Sequence, residues 1–169
     1  MAGFHIDAHH FEWINGLEDD PNDFCLHGNV TVMIGDEILQ YDCTVSSTAL
    51  YLLKTLTQNH IIGEDNQMLP CCGHCIIAND TFSEVTILGC PNGIDWSVIH
   101  DGKFIKLITE SGKQTIVYLE DYKQEVFRFA DSVEAYYKRC SPKVFSDNEF
   151  DKNNYIAFWK EWHRRRAKQ

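Results

Sequence analysis

Between residues 82 and 119 the chain is cut into short β-prone runs by turn residues too closely spaced for any helical crossover. Glu84-Val85-Thr86-Ile87-Leu88 ends at Gly89-Cys90-Pro91-Asn92-Gly93. Asp95-Trp96-Ser97-Val98-Ile99-His100 and Lys103-Phe104-Ile105-Lys106-Leu107-Ile108 bracket Asp101-Gly102, and Ser111-Gly112 leads to Gln114-Thr115-Ile116-Val117-Tyr118. Parallel neighbours need a dozen or more connecting residues, so strands this close in sequence must pair antiparallel. Upstream, Asn29 to Ile34 and Glu37 to Cys43 flank Gly35-Asp36 and predict a second hairpin.

Helical periodicity brackets this meander. Ala49, Leu52, Leu53 and Leu56 recur at i, i+3, i+4 and i+7 and predict a helix over about 47–59, with Ser46 or Ser47 as N-cap. Leu119, Tyr122, Val126, Phe129, Val133 and Tyr136 predict a long helix over about 120–139, acidic at its start and basic at its end, and Ser141-Pro142 stops it. Tyr155, Phe158, Trp159 and Trp162 carry a last helix, and Ser146-Asp147-Asn148-Glu149 has capping-box spacing before it. The expected architecture is α+β: an antiparallel sheet of about six strands (N-terminal hairpin plus central meander), packed by two to three helices. Residues 1–169 form a single globular domain, with 1–28 an irregular or edge-strand segment and 164–169 a basic tail. The arginines of that tail are expected to complement the last helix's dipole.

Several function classes are excluded or disfavoured on composition. A net charge of −10 repels phosphate backbones, so a nucleic-acid partner is not expected. No run approaches the ~20 apolar residues of a membrane span. Met1 to Asp7 shows neither a basic n-region nor an apolar h-region, so a cytoplasmic protein with reduced thiols is expected. Seven cysteines cannot all pair within one chain, and their spacing is not that of a secreted disulfide framework. The motifs of serine hydrolases, P-loop proteins, dinucleotide-binding proteins and zinc peptidases are missing, which points away from an enzyme.

Chemistry concentrates in Leu69-Pro70-Cys71-Cys72-Gly73-His74-Cys75-Ile76-Ile77. Three readings compete. The pair Cys72-x2-Cys75 has the spacing of half a zinc knuckle, with Cys71, Cys90, His74, His100 or Cys43 to complete a site. Alternatively the stretch is architecture: free cysteine is a small hydrophobe, and Cys75-Ile76-Ile77 reads as a buried strand delivered by a turn at Gly73. The third is redox. Cys72-Gly73-His74-Cys75 resembles the active-site tetrapeptide of protein disulfide isomerases, which implies a reactive first thiol at a helix N-terminus and a resolving second one. Here Asn79-Asp80 follows too soon to leave room for that helix.

Two further sets are candidates. His5, Asp7 and His9 share a face if their segment is extended and so present N and O donors together, with His27 a spatial recruit. Trp96 and His100 share a strand face and mark a candidate pocket; Asp95 points the other way, so Asp95 and His100 are not an acid–base pair. The favoured function is a non-catalytic binding protein for a basic protein partner. In composition it is comparable to the acidic bacterial immunity proteins that cover a toxin, and the expected docking face is acidic with exposed aromatics. No cofactor is required by this reading; zinc or thiol redox at the cysteine cluster is the alternative.

Overall fold

The structure, a computed structural model, describes residues 3–64 and 66–167. The fold is α+β, with small antiparallel sheets and three helices. The first sheet has the order β1 (Phe4–Glu12), β2 (His27–Ile34), β3 (Glu37–Thr44). On β2 burial alternates strictly, with Val30, Val32 and Ile34 inward and Asn29, Thr31 and Met33 outward. Ile34 pairs with Glu37, so the loop is Gly35-Asp36 as its sequence predicts, and Gly35 takes φ +63°. A side chain at Gly35 would also meet Thr115 Oγ1, which is why this hairpin tip can lie against the C-terminal sheet.

The N-terminal segment is more regular than its residue pattern suggests. Its first nine described positions after Gly3 form edge strand β1, paired with β2 from Phe4↔Ile34 to Glu12↔His27. The register shifts between His9 and Glu12, where His10 adopts φ +53°. A bulge of this kind interrupts the two-residue period, so Phe11 and Trp13 do not continue the alternation of Phe4 and Ile6.

Helix α1 (Val45–Thr55) follows β3 directly and runs through the centre of the molecule, with nearly every residue buried. It starts two residues before the expected boundary. Thr44 is its N-cap and makes no side-chain cap bond, while Ser46 and Ser47 lie inside the helix and are buried. Two short pairings come next, nested one inside the other. The outer joins β4 (Leu69–Pro70) to β7 (Gly93–Ile94); the inner joins β5 (Cys75–Ala78) to β6 (Val85–Leu88). The C-terminal sheet has the order β10 (Gln114–Tyr118), β9 (Phe104–Thr109), β8 (Trp96–Asp101). Asp101 pairs with Phe104, so the turn is Gly102-Lys103, one residue later than the Asp-Gly signal suggests, with Gly102 at φ +60°. The strands thus divide among four small sheets instead of one sheet of six, because β4 to β7 form their own two ladders.

Helix α2 (Leu119–Arg139) packs Tyr122, Val126, Phe129, Val133 and Tyr136 inward, the stripe its period predicts. Helix α3 (Glu149–Ala167) lies over β5 and β6. Its buried face mixes Phe158 and Trp162 with Asn154, Glu161 and Arg165. Glu161, wholly buried, accepts from Arg165 Nε at 2.7 Å and from the Val85 backbone N–H at 2.7 Å, and lies 3.5 Å from Lys54 Nζ. Arg164, Arg165 and Arg166 are therefore helix and not tail: Arg164 and Arg165 pair with Glu84, and Arg166 is bidentate on Asp131. Lys168 and Gln169 lie outside the described residues. No helix among the described residues is long and apolar enough to cross a membrane.

Candidate functional site

The nested pairings bring the segments 71–74 and 89–92 face to face. Cys71 N–H donates to Asn92 O at 3.0 Å, and Cys90 N–H donates to Cys72 Sγ at 2.9 Å. Such an approach demands glycine. A side chain at Gly89 would run into the Cys72 carbonyl, and one at Gly73 into Ser47 Oγ. The result is a Cys71–Cys90 disulfide with the Cys72 sulfur beside it, all three sulfurs within 4.8 Å of one another. The expectation that every thiol stays reduced does not describe this structure. Cys25, Cys43, Cys72, Cys75 and Cys140 are the free thiols.

The compact cysteine stretch is in fact split between two places. Cys71, Cys72 and Cys90 form the first. His74 points elsewhere and converges with Asp23 and Cys25, one ligand atom from each lying within 4.8 Å of the others. Cys75, exposed at the start of β5, joins neither group among the described residues. A strand follows Cys75, so neither Cys72 nor Cys75 stands at a helix N-terminus, and the dipole that activates a disulfide isomerase thiol is missing here. Cys43, expected as a spare ligand, is buried against Thr48 Oγ1 at 3.6 Å.

Around the second group the surroundings are better organised. Asp23 accepts the Ile14 N–H at 2.8 Å and the Cys25 N–H at 3.0 Å, which fixes its carboxylate. Cys25 is buried, and its thiol donates to Gly73 O at 3.3 Å. Burial, and then the Asp23 charge, push the Cys25 thiol up to about 12, so it is not a free nucleophile. Cys43 is raised to about 12 by burial in the same way. His27 lies against His74, ring centroids 5.1 Å apart, and its buried Nδ1 has no hydrogen-bond partner. Burial, followed by the neighbouring His74, holds His27 below the usual imidazole value.

The other candidates are occupied by structure. His5 and Asp7 do share the outer face of β1, but a guanidinium fills the place a metal would take. Arg128 donates to Asp7 at 2.7 Å and to Glu125 at 2.8 Å, and the His5 ring spans Asp7 and Glu125 at 2.6 and 2.9 Å. His9, exposed, does not converge with them. Trp96 is wholly buried against Phe4, and His100 Nε2 donates to Thr55 O at 2.8 Å, near the end of α1. Neither residue is among those lining the cleft walled by Tyr51, Lys54, His60, Asn66 and Ile87. Asp95 pairs instead with His60, whose Nε2 donates to Asp95 Oδ1 at 2.7 Å. The same oxygen accepts from the backbone of Met68 and Trp96, so this buried pair fastens the 60–68 loop to β8.

A signal that periodicity does not register is the placement of charge. Residues 1–102 hold one cation, Lys54, against fifteen Asp and Glu; the other fourteen Lys and Arg lie beyond residue 102. The densest acidic surface is the 12–23 connection, with Glu12, Glu18, Asp19, Asp20 and Asp23. It is an ordered surface. Trp13 is buried beneath it, Val144 N–H donates to Pro21 O at 2.8 Å, and Asp19 accepts the Ser141 hydroxyl at 2.6 Å. Bonds from Ser141 hold the Asp19 carboxyl below the usual range. At its apex Ile14 and Leu17 are 68% and 57% exposed. A cleft runs from here past His10, Glu12, His27 and Asp42 to Cys71. The exposed aromatics lie elsewhere: Tyr118, packed near half-buried Phe104 beneath Lys103 on the C-terminal sheet, Phe82 in the 79–83 turn, and Phe150 at the start of α3.

Comparison of this chain with family models, with curated proteins and with solved structures returns no match in any of the three.

Proposed function

We propose that this chain is a non-catalytic binding protein that receives a basic protein partner on the 12–23 surface. One observation carries the reading. An ordered connection presents five carboxylates and two solvent-exposed aliphatic side chains, and among the described residues the one cation hydrogen-bonded to it is Lys143, whose ammonium is held on Asp20 O at 2.6 Å and over the Trp13 ring. Five carboxylates around one lysine leave a net negative surface that steers a basic partner in, and apolar side chains at its apex supply area to bury. An immunity-type inhibitor covering a basic toxin would need such a surface. Cytoplasmic residence is part of the same proposal, and there the Cys71–Cys90 bond would be subject to reduction.

The test maps the contact. With a lysine- and leucine-containing basic peptide as probe, amide chemical-shift changes should fall on residues 12–23 and on the neighbouring Asn29–Asp42 pair. Glu12→Lys/Glu18→Lys should weaken binding by at least about tenfold, some 1.4 kcal/mol. Lys103→Glu/Lys106→Glu should leave it intact. Shifts scattered over the molecule, or centred on Phe104 and Tyr118, would sink the reading.

A second reading, thiol–disulfide exchange, rests on the Cys72 sulfur lying beside the Cys71–Cys90 pair. Attack by the Cys72 thiolate on either sulfur would form one new S–S bond and release the other cysteine as thiolate, with no net oxidation. Mapping disulfides after mild alkaline incubation tests it: only the 71–90 linkage should be found if Cys72 is inert.

A further inference from the structure

Asp23, Cys25, His27 and His74 come from two segments almost fifty residues apart. Asp23, Cys25 and His74 converge at one edge of the acidic surface, and the His27 ring lies against that of His74. We propose that Asp23, Cys25 and His74, completed by His27, form a zinc-class metal site that pins the 12–27 segment to the 71–74 loop. The site shares Asp23 with the basic-partner surface but does not need that reading to hold.

Three observations support it. The first is convergence: a carboxylate oxygen, a thiol sulfur and an imidazole nitrogen already lie within 4.8 Å of one another. Mixed N, S and O donors suit Zn2+, a borderline ion that accepts all three in a tetrahedral shell. The second is the orphan at His27. Its ring packs on that of His74, and its Nδ1 is buried without a partner, while its Nε2 faces Thr44 Oγ1 at 3.5 Å. A ligating histidine typically donates from one nitrogen to a nearby oxygen and binds metal with the other. An unsatisfied buried nitrogen is otherwise a cost that folded proteins avoid. The third is orientation. The Ile14 and Cys25 backbone amides hold the Asp23 carboxylate, and the missing side chain at Gly73 lets the His74 loop close over Cys25.

The Cys71, Cys72 and Cys90 group is the rival location, and it is weaker in this state because two of its three sulfurs are bonded to each other. The experiment separates the two. Zn2+ affinity of the purified full chain is measured by competition with a chromophoric chelator, and Co2+ spectra are recorded on the same samples. One Zn2+ per chain is expected. Affinity should drop at least about tenfold in His74→Ala and in Cys25→Ser, and be unchanged in Cys72→Ser. The thiolate-to-Co2+ charge-transfer band should vanish in Cys25→Ser and persist in Cys72→Ser. Since Cys25 is buried and its variant could fail to fold, the exposed His74→Ala carries the test alone if needed, checked by circular dichroism without metal. Wild type no tighter than His74→Ala overturns the proposal. So does binding lost in Cys72→Ser and kept in His74→Ala.

Discussion

The first 102 residues and the remainder of the chain are unlike in charge, and the contrast explains how they are joined. The first part carries carboxylates almost without cations, and its one lysine is spent indoors: Lys54 Nζ donates to Val85 O at 2.7 Å and faces Glu161. The second part supplies the cations, and several reach across. Arg128 goes to Asp7, Lys113 to Asp36, and Arg164 and Arg165 to Glu84. The contact between Lys54 and Glu161 is the most buried of the links between the two parts, with Glu161 wholly buried and Lys54 partly so. In the others at least one partner is well exposed, and such ion pairs contribute little. Among the described residues no cation pairs with Glu12 or Glu18, which leaves that end of the molecule negative.

The sharpest way to break this picture is Glu161→Ala. It strands Lys54 and Arg165 and removes the acceptor for Val85 N–H, so urea unfolding should show a loss of about 3–5 kcal/mol. Glu161→Gln, which keeps an acceptor, should lose less. A loss under about 1 kcal/mol would mean that Phe158 and Trp162 alone hold α3 in place. Next is Gly89→Ala. Its methyl group meets the Cys72 carbonyl, backbone against side chain, and the expected loss is about 1–3 kcal/mol. That loss should not depend on salt, because shape and not charge sets it. Arg128→Ala should cost at most about 1 kcal/mol, and the effect should fade in about 1 M salt.

The smallest effect is a pH dependence at the same place. Burial acts to raise Asp7, but bonds to Arg128 and His5 outweigh it and hold the carboxyl below its ordinary 3.8; Glu125 is lowered likewise, against burial, chiefly by Arg128. A carboxyl depressed in the folded state stabilises above its ordinary value and stops doing so as pH falls through the folded one. The gap in stability between wild type and Arg128→Ala should therefore be constant near neutrality and close below about pH 4. A gap that widens in acid would show that Arg128 acts by packing instead.

Much of the fold was legible because its signals are local. The Gly35-Asp36 turn, the 96–118 meander and the α2 stripe each depend on neighbours in sequence, and they stand where those signals put them, apart from the one-residue shift of the Gly102 turn. β1 was blurred by a bulge at His10, and its pairing with β2 is non-local. The buried face of α3 was hidden for another reason: its polar residues find partners far away in sequence, Asn154 Oδ1 at the Ala78 N–H, Glu161 at the Val85 N–H and Lys54, and Arg165 at Thr57 and Glu84. At the site, the turns carrying Cys71 and Cys90 do meet, as their composition allowed. His74 leaving the cluster for Asp23 and Cys25 was not readable, since the Gly73 and Cys25 contact spans 48 positions. Its trace was present all the same. Asp23, Cys25 and His27 alternate just as His5, Asp7 and His9 do, and the more conspicuous set proved to be the one closed by an arginine.

The Cys71–Cys90 bond has a consequence of another kind. It turns residues 71–90 into a covalent ring, and the β5–β6 hairpin with its exposed 79–83 turn hangs inside that ring. Phe82, 46% exposed at φ +51°, is an inviting place for a protease to cut. A single nick there would release nothing. The two pieces would travel as one molecule until a reductant was added, so the oxidation state of the ring would decide whether the same cut is silent or separates the N-terminal acidic part from the α2 and α3 part that supplies its cations.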